Sequence, residues 1–139
     1  MNVLFVCLGN IGRSQMAESM FNELARGRHI SKSAGLDVGA GEGQLLKDSP
    51  YANAVLAVMG ETGIDMSNKV RRQIDSDMVT DADKVIVMTA QTNAPNYVEA
   101  HPDVSFWDVE DPYQKSMEDT RELRDKIKGL VEDLIASLV

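Results

Sequence analysis

Residues 3 to 14 read Val3-Leu4-Phe5-Val6-Cys7-Leu8-Gly9-Asn10-Ile11-Gly12-Arg13-Ser14, and this stretch decides the fold. Its first four residues form a short apolar run without polar alternation, which is typical of a central strand that a parallel sheet buries on both faces. Cys7, the only cysteine of the chain, follows this run, and a loop with two glycines leads to Arg13 and a helical pattern. The order predicts a strand, a cysteine at its carboxyl end, a loop and a helix.

The loop between this strand and this helix is suited to binding a tetrahedral oxyanion. Such a turn directs successive backbone N–H groups into one concavity, where the dipole of the following helix adds partial positive charge. Gly9 and Gly12 let the backbone approach a ligand and adopt a positive φ where one is required. Asn10 is the non-glycine type that best tolerates a positive φ. The predicted oxyanion-binding residues are Leu8, Gly9, Asn10, Ile11, Gly12, Arg13 and Ser14.

Three side chains of this stretch carry the predicted chemistry. Arg13 can hold two oxygens of an oxyanion in a bidentate fork. Its charge and the helix N-terminus favour the thiolate of Cys7, which is the form that attacks. Ser14 is placed to donate a hydrogen bond to the sulfur. The competing interpretation is a buried core thiol beside a solvated arginine, and the two glycines at this spacing argue against it.

Length, charge and cysteine content limit the classes of function. We predict one domain over residues 1–139, which is long enough for a sizeable core. The formal net charge of −8 argues against nucleic acid or an anionic membrane as a partner. A single cysteine excludes an intramolecular disulfide, and no run of about 18 apolar residues predicts a membrane span. A reactive thiol without a recognisable targeting segment favours a reducing cytoplasm.

Apolar patterns after residue 14 alternate between helical and strand periodicity. Helices are predicted from Ser14 to about Arg28, from Pro50 to before Gly63, near Arg72 to Met78, over Gln91 to Ala100 with an interruption at Pro95, and from about Met117 to Val139. Further strands are predicted around 29–34, 85–88 and 104–107. This alternation predicts an α/β fold, a single doubly wound domain with a central parallel sheet and helices on both faces.

Two polar segments connect these elements. The glycine-rich segment 36–49 is interpreted as a solvated connection, or alternatively as a wall of an active-site mouth, because loops after strand carboxyl ends build such mouths. Lys69, Arg71 and Arg72 form the densest basic cluster, and we interpret them as a solvated face.

The sequence Cys-x5-Arg-Ser after the first strand resembles the phosphate loop of the low molecular weight protein tyrosine phosphatases and of the arsenate reductases that share their fold. Asp111-Pro112-Tyr113 resembles the segment that carries the general acid of this family, and Ser33-Ala34-Gly35 resembles the segment whose serine supports the loop. The resemblance runs the whole chain. It implies a four-stranded sheet of order 2-1-3-4, which places the phosphate loop at the carboxyl edge, where such folds bind ligands.

The resemblance implies a cysteine-dependent phosphatase without a cofactor. In this family the cysteine, here Cys7, attacks phosphorus and forms a cysteinyl phosphate, the arginine and loop amides hold the oxygens, and the aspartate protonates the leaving group. The implied catalytic residues are therefore Cys7, Arg13 and Asp111. The implied partner is a phosphorylated protein, foremost phosphotyrosine, or a small phosphomonoester, bound by a monomer or weak dimer. Trp107 and Tyr113 are the expected substrate walls, and the expected loop supports are Asn10, Ser14 and Ser33.

An arsenate reductase of the same fold is the alternative, because arsenate is also a tetrahedral oxyanion and Gln15 stands where the phosphatases more often have proline. Reductases with a cysteine relay need two more cysteines, and Thr89 and Asn96 stand near those places. Cys7 would therefore need an external thiol of the glutaredoxin, glutathione or mycothiol type. Gly12 stands where family phosphatases commonly have a second, protective cysteine.

Two further possibilities depend on the same loop. A non-catalytic oxyanion-binding module is the second alternative, and the presence of both a nucleophile and an acid argues against it. The resemblance to some reductases of this branch also implies a potassium site, which is built from an asparagine, a glutamate, a serine and an aspartate. The residues that match this site are Asn10, Glu18, Ser33 and Asp65.

Overall fold

The computed structural model of the protein describes residues 1–89 and 94–138. Four parallel strands lie in the order β2-β1-β3-β4, which confirms the predicted fold class and strand order. The strands are β1 (Asn2–Cys7), β2 (Ile30–Gly35), β3 (Lys84–Val87) and β4 (Val104–Phe106). The helices are α1 (Arg13–Ala25), α2 (Asn53–Gly60), α3 (Ser76–Asp81), α4 (Asn96–Glu99) and α5 (Met117–Ser137).

The central strand β1 is buried on both faces, as its unbroken apolar run predicts. Val3, Phe5 and Cys7 pack into a core with α1, α2 and α5. Leu4 and Val6 pack into a second core on the other face, together with residues of β3, α3 and α4. Successive side chains of a strand point to opposite faces, so Cys7 lies on the same face as Phe5. Cys7 pairs with Gly35 at the end of β2, which places its thiol at the carboxyl edge of the sheet.

The helices differ from the predicted bounds at their ends. Helix α1 stops at Ala25 because Arg26 and Gly27 adopt φ of 51° and 81°, where the helix cannot continue. A short 3₁₀ turn over Pro50–Ala52 precedes α2. Of the predicted helix 91–100, the structure shows α4, which begins directly after Pro95. Residues 91–93 of that prediction lie outside the described residues. Helix α5 ends at Ser137, and Val139 is likewise outside them.

The helix predicted near Arg72 to Met78 is present but begins later, at Ser76. Residues 69–75 are not helical, and they pair with other segments through isolated bridges from Val70 to Leu45 and from Gln73 to Gly35. Helix α3 begins only at Ser76, where the side chain of Asp75 accepts a hydrogen bond from the Met78 N–H. The non-helical segment therefore runs beside the loop that follows β1.

Within residues 1–89 and 94–138, no helix combines the length and the apolar character that crossing a membrane requires.

Candidate active site

A cavity of about 340 Å³ opens at the carboxyl end of β1, within the range of about 300–1,000 Å³ that is usual for ligand pockets. Cys7 and loop residues 8–9 and 11–13 line one side of it. Tyr51, Val55 and residues 111–113 line the other. The three predicted catalytic residues, Cys7, Arg13 and Asp111, thus lie in one cavity although 104 positions of sequence separate the first from the last.

The loop backbone adopts its turn at Asn10. Asn10 is fully buried and has a φ of 54°, as its residue type predicts. Neither Gly9 nor Gly12 has a positive φ, so the loop requires that conformation at Asn10 and not at its glycines. Gly12 is required for space, because a Cβ there would lie 2.8 Å from Cγ of Pro112. The absent side chain lets the Asp-Pro segment close over the loop.

The Asn10 side chain joins the loop to the first turn of α1 and to β2 through hydrogen bonds. Its Nδ2 donates to Ser14 Oγ at 2.8 Å and to Ser33 Oγ at 3.0 Å. The three predicted support residues are therefore joined in one network. All three are buried, where each satisfied hydrogen bond is costly to lose.

The donors and acceptors around Asn10 leave the Ser14 hydroxyl hydrogen free to bond to the sulfur of Cys7. Asn10 Oδ1 accepts from Gln15 Nε2 at 3.0 Å and from the Arg72 N–H at 2.8 Å, which fixes the orientation of the amide. Ser14 Oγ already accepts from Asn10, so its own hydrogen is available for the sulfur of Cys7, 2.9 Å away. The network therefore favours Ser14 as a donor to a thiolate.

The Arg13 side chain is anchored to the sheet and only 8% exposed. Its Nη1 donates to the carbonyl oxygens of Met88 at 2.6 Å and Val109 at 3.3 Å. Its Nη2 lies 3.6 Å from Oδ2 of Asp111. The first N–H groups of α1 have no partner within the helix, so they are available to the same oxyanion as the guanidinium.

Asp111 lies at the mouth of the cavity, and its side chain is about half exposed. Its Oδ1 accepts a hydrogen bond from the Tyr113 N–H at 3.0 Å, which holds the turn. Pro112 restricts Asp111 to extended backbone and packs against Gly12. The carboxylate is thereby directed towards the guanidinium while it stays in contact with solvent.

The aromatic walls differ from the predicted pair. Tyr113 lines the cavity, but Trp107 does not, because its ring packs 5.7 Å from that of Phe5 in the core. The second wall is Tyr51, whose ring centroid lies 5.6 Å from that of Tyr113. The sequence predictions do not single out Tyr51, and the available signal was its position beside Pro50, in the 3₁₀ turn ahead of α2.

The segment 69–72, which includes the basic cluster, contacts the outer side of the phosphate loop. Lys69 pairs with Glu18 of α1, and Val70 O accepts from Gln15 Nε2 at 3.1 Å. Arg71 Nε donates to Gly9 O at 3.1 Å. Lys69 and Arg71 are thus partly buried anchors, and the prediction of a solvated face holds only for the exposed side chain of Arg72.

The segment 36–49 is hydrogen-bonded to the residues that contact the outer side of the phosphate loop, and it does not line the cavity. The Arg71 N–H donates to Gln44 O, and the Gly43 N–H donates to Arg71 O, both at 2.9 Å. This pairing holds the glycine-rich segment against residues 69–73. The segment is therefore neither a merely solvated connection nor a wall of the cavity.

Each of the four potassium candidates has a hydrogen-bond or ion-pair partner within the protein. Asn10 and Ser33 share a hydrogen bond, while the Asp65 carboxylate accepts from the Ser67 N–H. The carboxylate of Glu18 is occupied by the ammonium of Lys69, whose pKa is lowered by burial. Among the described residues, no cluster of three histidine, cysteine or carboxylate side chains suits a metal ion. The cation beside Glu18 is therefore the protein's own.

A family model described as "Low molecular weight phosphotyrosine protein phosphatase" matches residues 2–139. The glutaredoxin arsenate reductase of Synechocystis is 33% identical over 98% of this chain and 97% of its own. The phosphatase YfkJ of Bacillus subtilis is 30% identical over 99% of this chain and 95% of its own. A solved YwlE arginine phosphatase, a cysteine-to-serine mutant with a phosphorylated active-site serine, superposes with a TM-score of 0.83 at 25% identity, covering 99% and 95% of the two chains. The site geometry and these matches agree, and the chain belongs to the low molecular weight phosphotyrosine protein phosphatase family.

Proposed function

We propose that this protein hydrolyses phosphomonoesters through a cysteinyl-phosphate intermediate, with protein phosphotyrosine as the foremost substrate. The observation that supports this most strongly is the common cavity of Cys7, Arg13 and Asp111. A nucleophile, a guanidinium and a carboxyl group in one concavity are the three groups that phosphoryl transfer from an ester requires.

In the first step the thiolate of Cys7 attacks phosphorus in line with the ester oxygen. The Arg13 guanidinium and the loop N–H groups hold the three equatorial oxygens, where charge is spread in the transition state. The bond from phosphorus to the ester oxygen breaks, and the carboxyl group of Asp111 gives its proton to the leaving oxygen. The products of this step are the alcohol and the cysteinyl phosphate.

In the second step water replaces the sulfur. The carboxylate of Asp111, now deprotonated, takes a proton from water as the oxygen attacks phosphorus. The sulfur leaves as a thiolate, which the Ser14 hydroxyl stabilises across 2.9 Å. Inorganic phosphate is released, and the thiolate, the arginine and the acid return to their first state.

Substrate binding changes the partner of Asp111. Without an oxyanion, its Oδ2 lies 3.6 Å from Arg13 Nη2, on the guanidinium that an incoming phosphate would also use. A bound dianion takes over this contact and places negative charge beside the carboxyl group. The carboxyl group is thereby released from the guanidinium and can face the leaving oxygen.

The walls support an aromatic substrate. Tyr51 and Tyr113 are exposed by 64% and 55%, and their tilted rings stand above a floor that includes Ile11 and Val55. Offset and edge contacts between aromatic rings add about 0.5–1.5 kcal/mol beyond the burial of area. The two rings lie 5.6 Å apart and contact each other, so a phenyl phosphate would pack against their exposed faces and not between them.

Arsenate reduction is the second candidate, and the 33% identical reductase of Synechocystis supports it. The Cys7 thiolate would bond to arsenic and displace water from arsenate. An external thiol of the glutaredoxin, glutathione or mycothiol type would then attack the sulfur. Arsenic would leave as arsenite, reduced by two electrons, and the two sulfurs would form a mixed disulfide. Cys7 is the only cysteine, so the second thiol has to come from outside.

One experiment compares the two candidates directly. The purified protein is assayed for hydrolysis of p-nitrophenyl phosphate and of a phosphotyrosine peptide, and in parallel for arsenate reduction with glutathione and glutaredoxin. We expect hydrolysis of both esters, together with a phosphocysteine adduct that acid quenching traps. Arsenate reduction without measurable ester hydrolysis would assign the protein to the reductase activity. Because a reactive thiol suits a reducing compartment, we propose the cytoplasm as its location.

A further inference from the structure

The loop can bind an oxyanion only if its carbonyl groups are held on the outer side. A peptide is planar and trans, so the carbonyl of one residue and the N–H of the next point in opposite directions. Each carbonyl that is bound from outside therefore directs the following N–H towards the cavity. A buried carbonyl without a donor would instead favour rotation of the peptide, because leaving it unsatisfied is costly.

Three of the six carbonyls of residues 7–12 are held by backbone donors. Cys7 O accepts from the Leu36 N–H and Leu8 O accepts from the Asp37 N–H, both at 2.9 Å. Gly12 O accepts from the Met16 N–H at 2.9 Å in the first turn of α1. Backbone donors of this kind depend on the fold alone, and substitution of a side chain does not remove them.

The Gly9 carbonyl depends on a side chain. Its donor is Arg71 Nε, at 3.1 Å, and Arg71 does not line the cavity, so it binds Gly9 from the outer side. The same guanidinium donates from Nη1 to Gln44 Oε1 at 2.9 Å. A flat group with two divergent N–H directions is needed to reach both oxygens, and the single ammonium of a lysine does not provide it.

The guanidinium of Arg71 occupies the space that a side chain at position 41 would fill. A Cβ at Gly41 would lie 2.1 Å from Arg71 Nη1 and 2.5 Å from its Cζ. The guanidinium therefore lies directly on the Gly41 backbone. The φ of Gly41 is not positive, so the glycine is required for space and not for conformation.

We propose that Arg71 is a positioning residue of the phosphate loop, which holds the Gly9 carbonyl outward and thereby keeps the peptide between Gly9 and Asn10 in the orientation that oxyanion binding needs. This role rests on the proposed function of the loop as an oxyanion site. It also gives the glycine-rich segment 36–49 a role at the loop, because Gln44 and Gly41 of this segment position the guanidinium that bonds to Gly9.

Two variants of the full-length protein test this role in different ways. Arg71→Met removes the donors and keeps a long apolar stem. Gly41→Ala keeps every charge and pushes the guanidinium away. Lys47→Met is the control, because it removes one positive charge from an exposed side chain of the neighbouring segment. The readouts are kcat and KM for p-nitrophenyl phosphate, the inhibition constant of inorganic phosphate, and the melting temperature.

We expect Arg71→Met and Gly41→Ala each to weaken phosphate inhibition and to lower kcat by about tenfold, the lower end expected for a lost hydrogen bond to a charged donor. Lys47→Met should stay within about twofold, since exposed charges are screened. The decrease in kcat should exceed the increase in KM, because oriented amides act most strongly in the transition state. Arg71→Lys should restore only part of the loss.

The outcomes separate this proposal from the proposed function. If Arg71→Met only lowers the melting temperature, with the phosphate inhibition constant and kcat of the folded enzyme unchanged, Arg71 is structural and the proposal is overturned. The same holds if Gly41→Ala behaves like the wild type. If the wild type neither hydrolyses the ester nor binds phosphate, the proposed function fails instead.

Discussion

Replacing Gly12 with alanine should misplace the general acid without unfolding the protein. The new Cβ would lie 2.8 Å from Cγ of Pro112 and 3.5 Å from a methyl group of Val55. Ordinary carbon contacts are about 3.5–4.0 Å, so the proline ring has to move outward by about 0.7 Å. Overpacking costs about 1–3 kcal/mol where the surroundings are rigid. The turn with Pro112 is half-buried and carries the exposed Asp111, so displacing this turn should release most of the strain.

The expected result of Gly12→Ala is a selective loss of activity. A misplacement of about 1 Å can cost up to about 100-fold in rate, and hydrolysis of phosphotyrosine should fall by up to this factor because Asp111 moves with Pro112. Both losses are measured as kcat/KM, which covers only the steps up to the cysteinyl phosphate, and the loss for p-nitrophenyl phosphate, whose leaving group needs little protonation, should be much smaller. Gly60→Ala is the matched control, because nothing lies within 4 Å of a Cβ there. Equal losses for both esters, or no loss for either, would refute the reasoning.

Three further outcomes follow from the site and its surroundings. Cys7→Ser should abolish turnover but keep phosphate binding by calorimetry, because the loop amides and Arg13 remain; measurable turnover would contradict the role of Cys7. Peroxide should inactivate the protein irreversibly unless a small thiol is present, because Cys7 has no second cysteine to form a disulfide. Full recovery of a sample oxidised without thiol would count against this. Glu61→Gln should lower the melting temperature at pH 7, because hydrogen bonds from Arg121 and Arg124 lower the pKa of Glu61. This stabilisation is complete above the ordinary value of 4.5 and is lost as the pH falls through the lowered pKa, so a difference that persists in stronger acid would contradict it.

Local features of the sequence were sufficient for β1 and its loop. An unbroken apolar run predicts a buried central strand, and Cys7, Asn10 and Arg13 follow within a few residues, so no long-range contact is needed to place them. Asn10 shows this most clearly, because its residue type predicts the positive φ that the structure has. The strand order came from the resemblance to a known family and not from the pattern itself.

The supports of the loop could not be predicted in the same way. Arg71 acts on Gly9, 62 positions earlier, through a bond to a backbone carbonyl. Such a bond leaves no motif, and a basic cluster in a polar segment is more often solvated. The prediction of Trp107 as a substrate wall is wrong for a related reason. The sequence does not say to which side of the sheet an aromatic residue after a strand turns, and only the packing of Trp107 against Phe5 decides this.

The most direct test of the phosphatase mechanism is the dependence of Asp111→Asn on the leaving group. A poor leaving group needs a proton in the transition state, and a general acid contributes about 10²–10⁴-fold. Measured as kcat/KM, which covers only the steps up to formation of the cysteinyl phosphate, the loss should approach this range for phosphotyrosine and be much smaller for p-nitrophenyl phosphate. Equal losses on the two substrates, or none, would show that Asp111 is not the acid and would contradict the phosphatase mechanism.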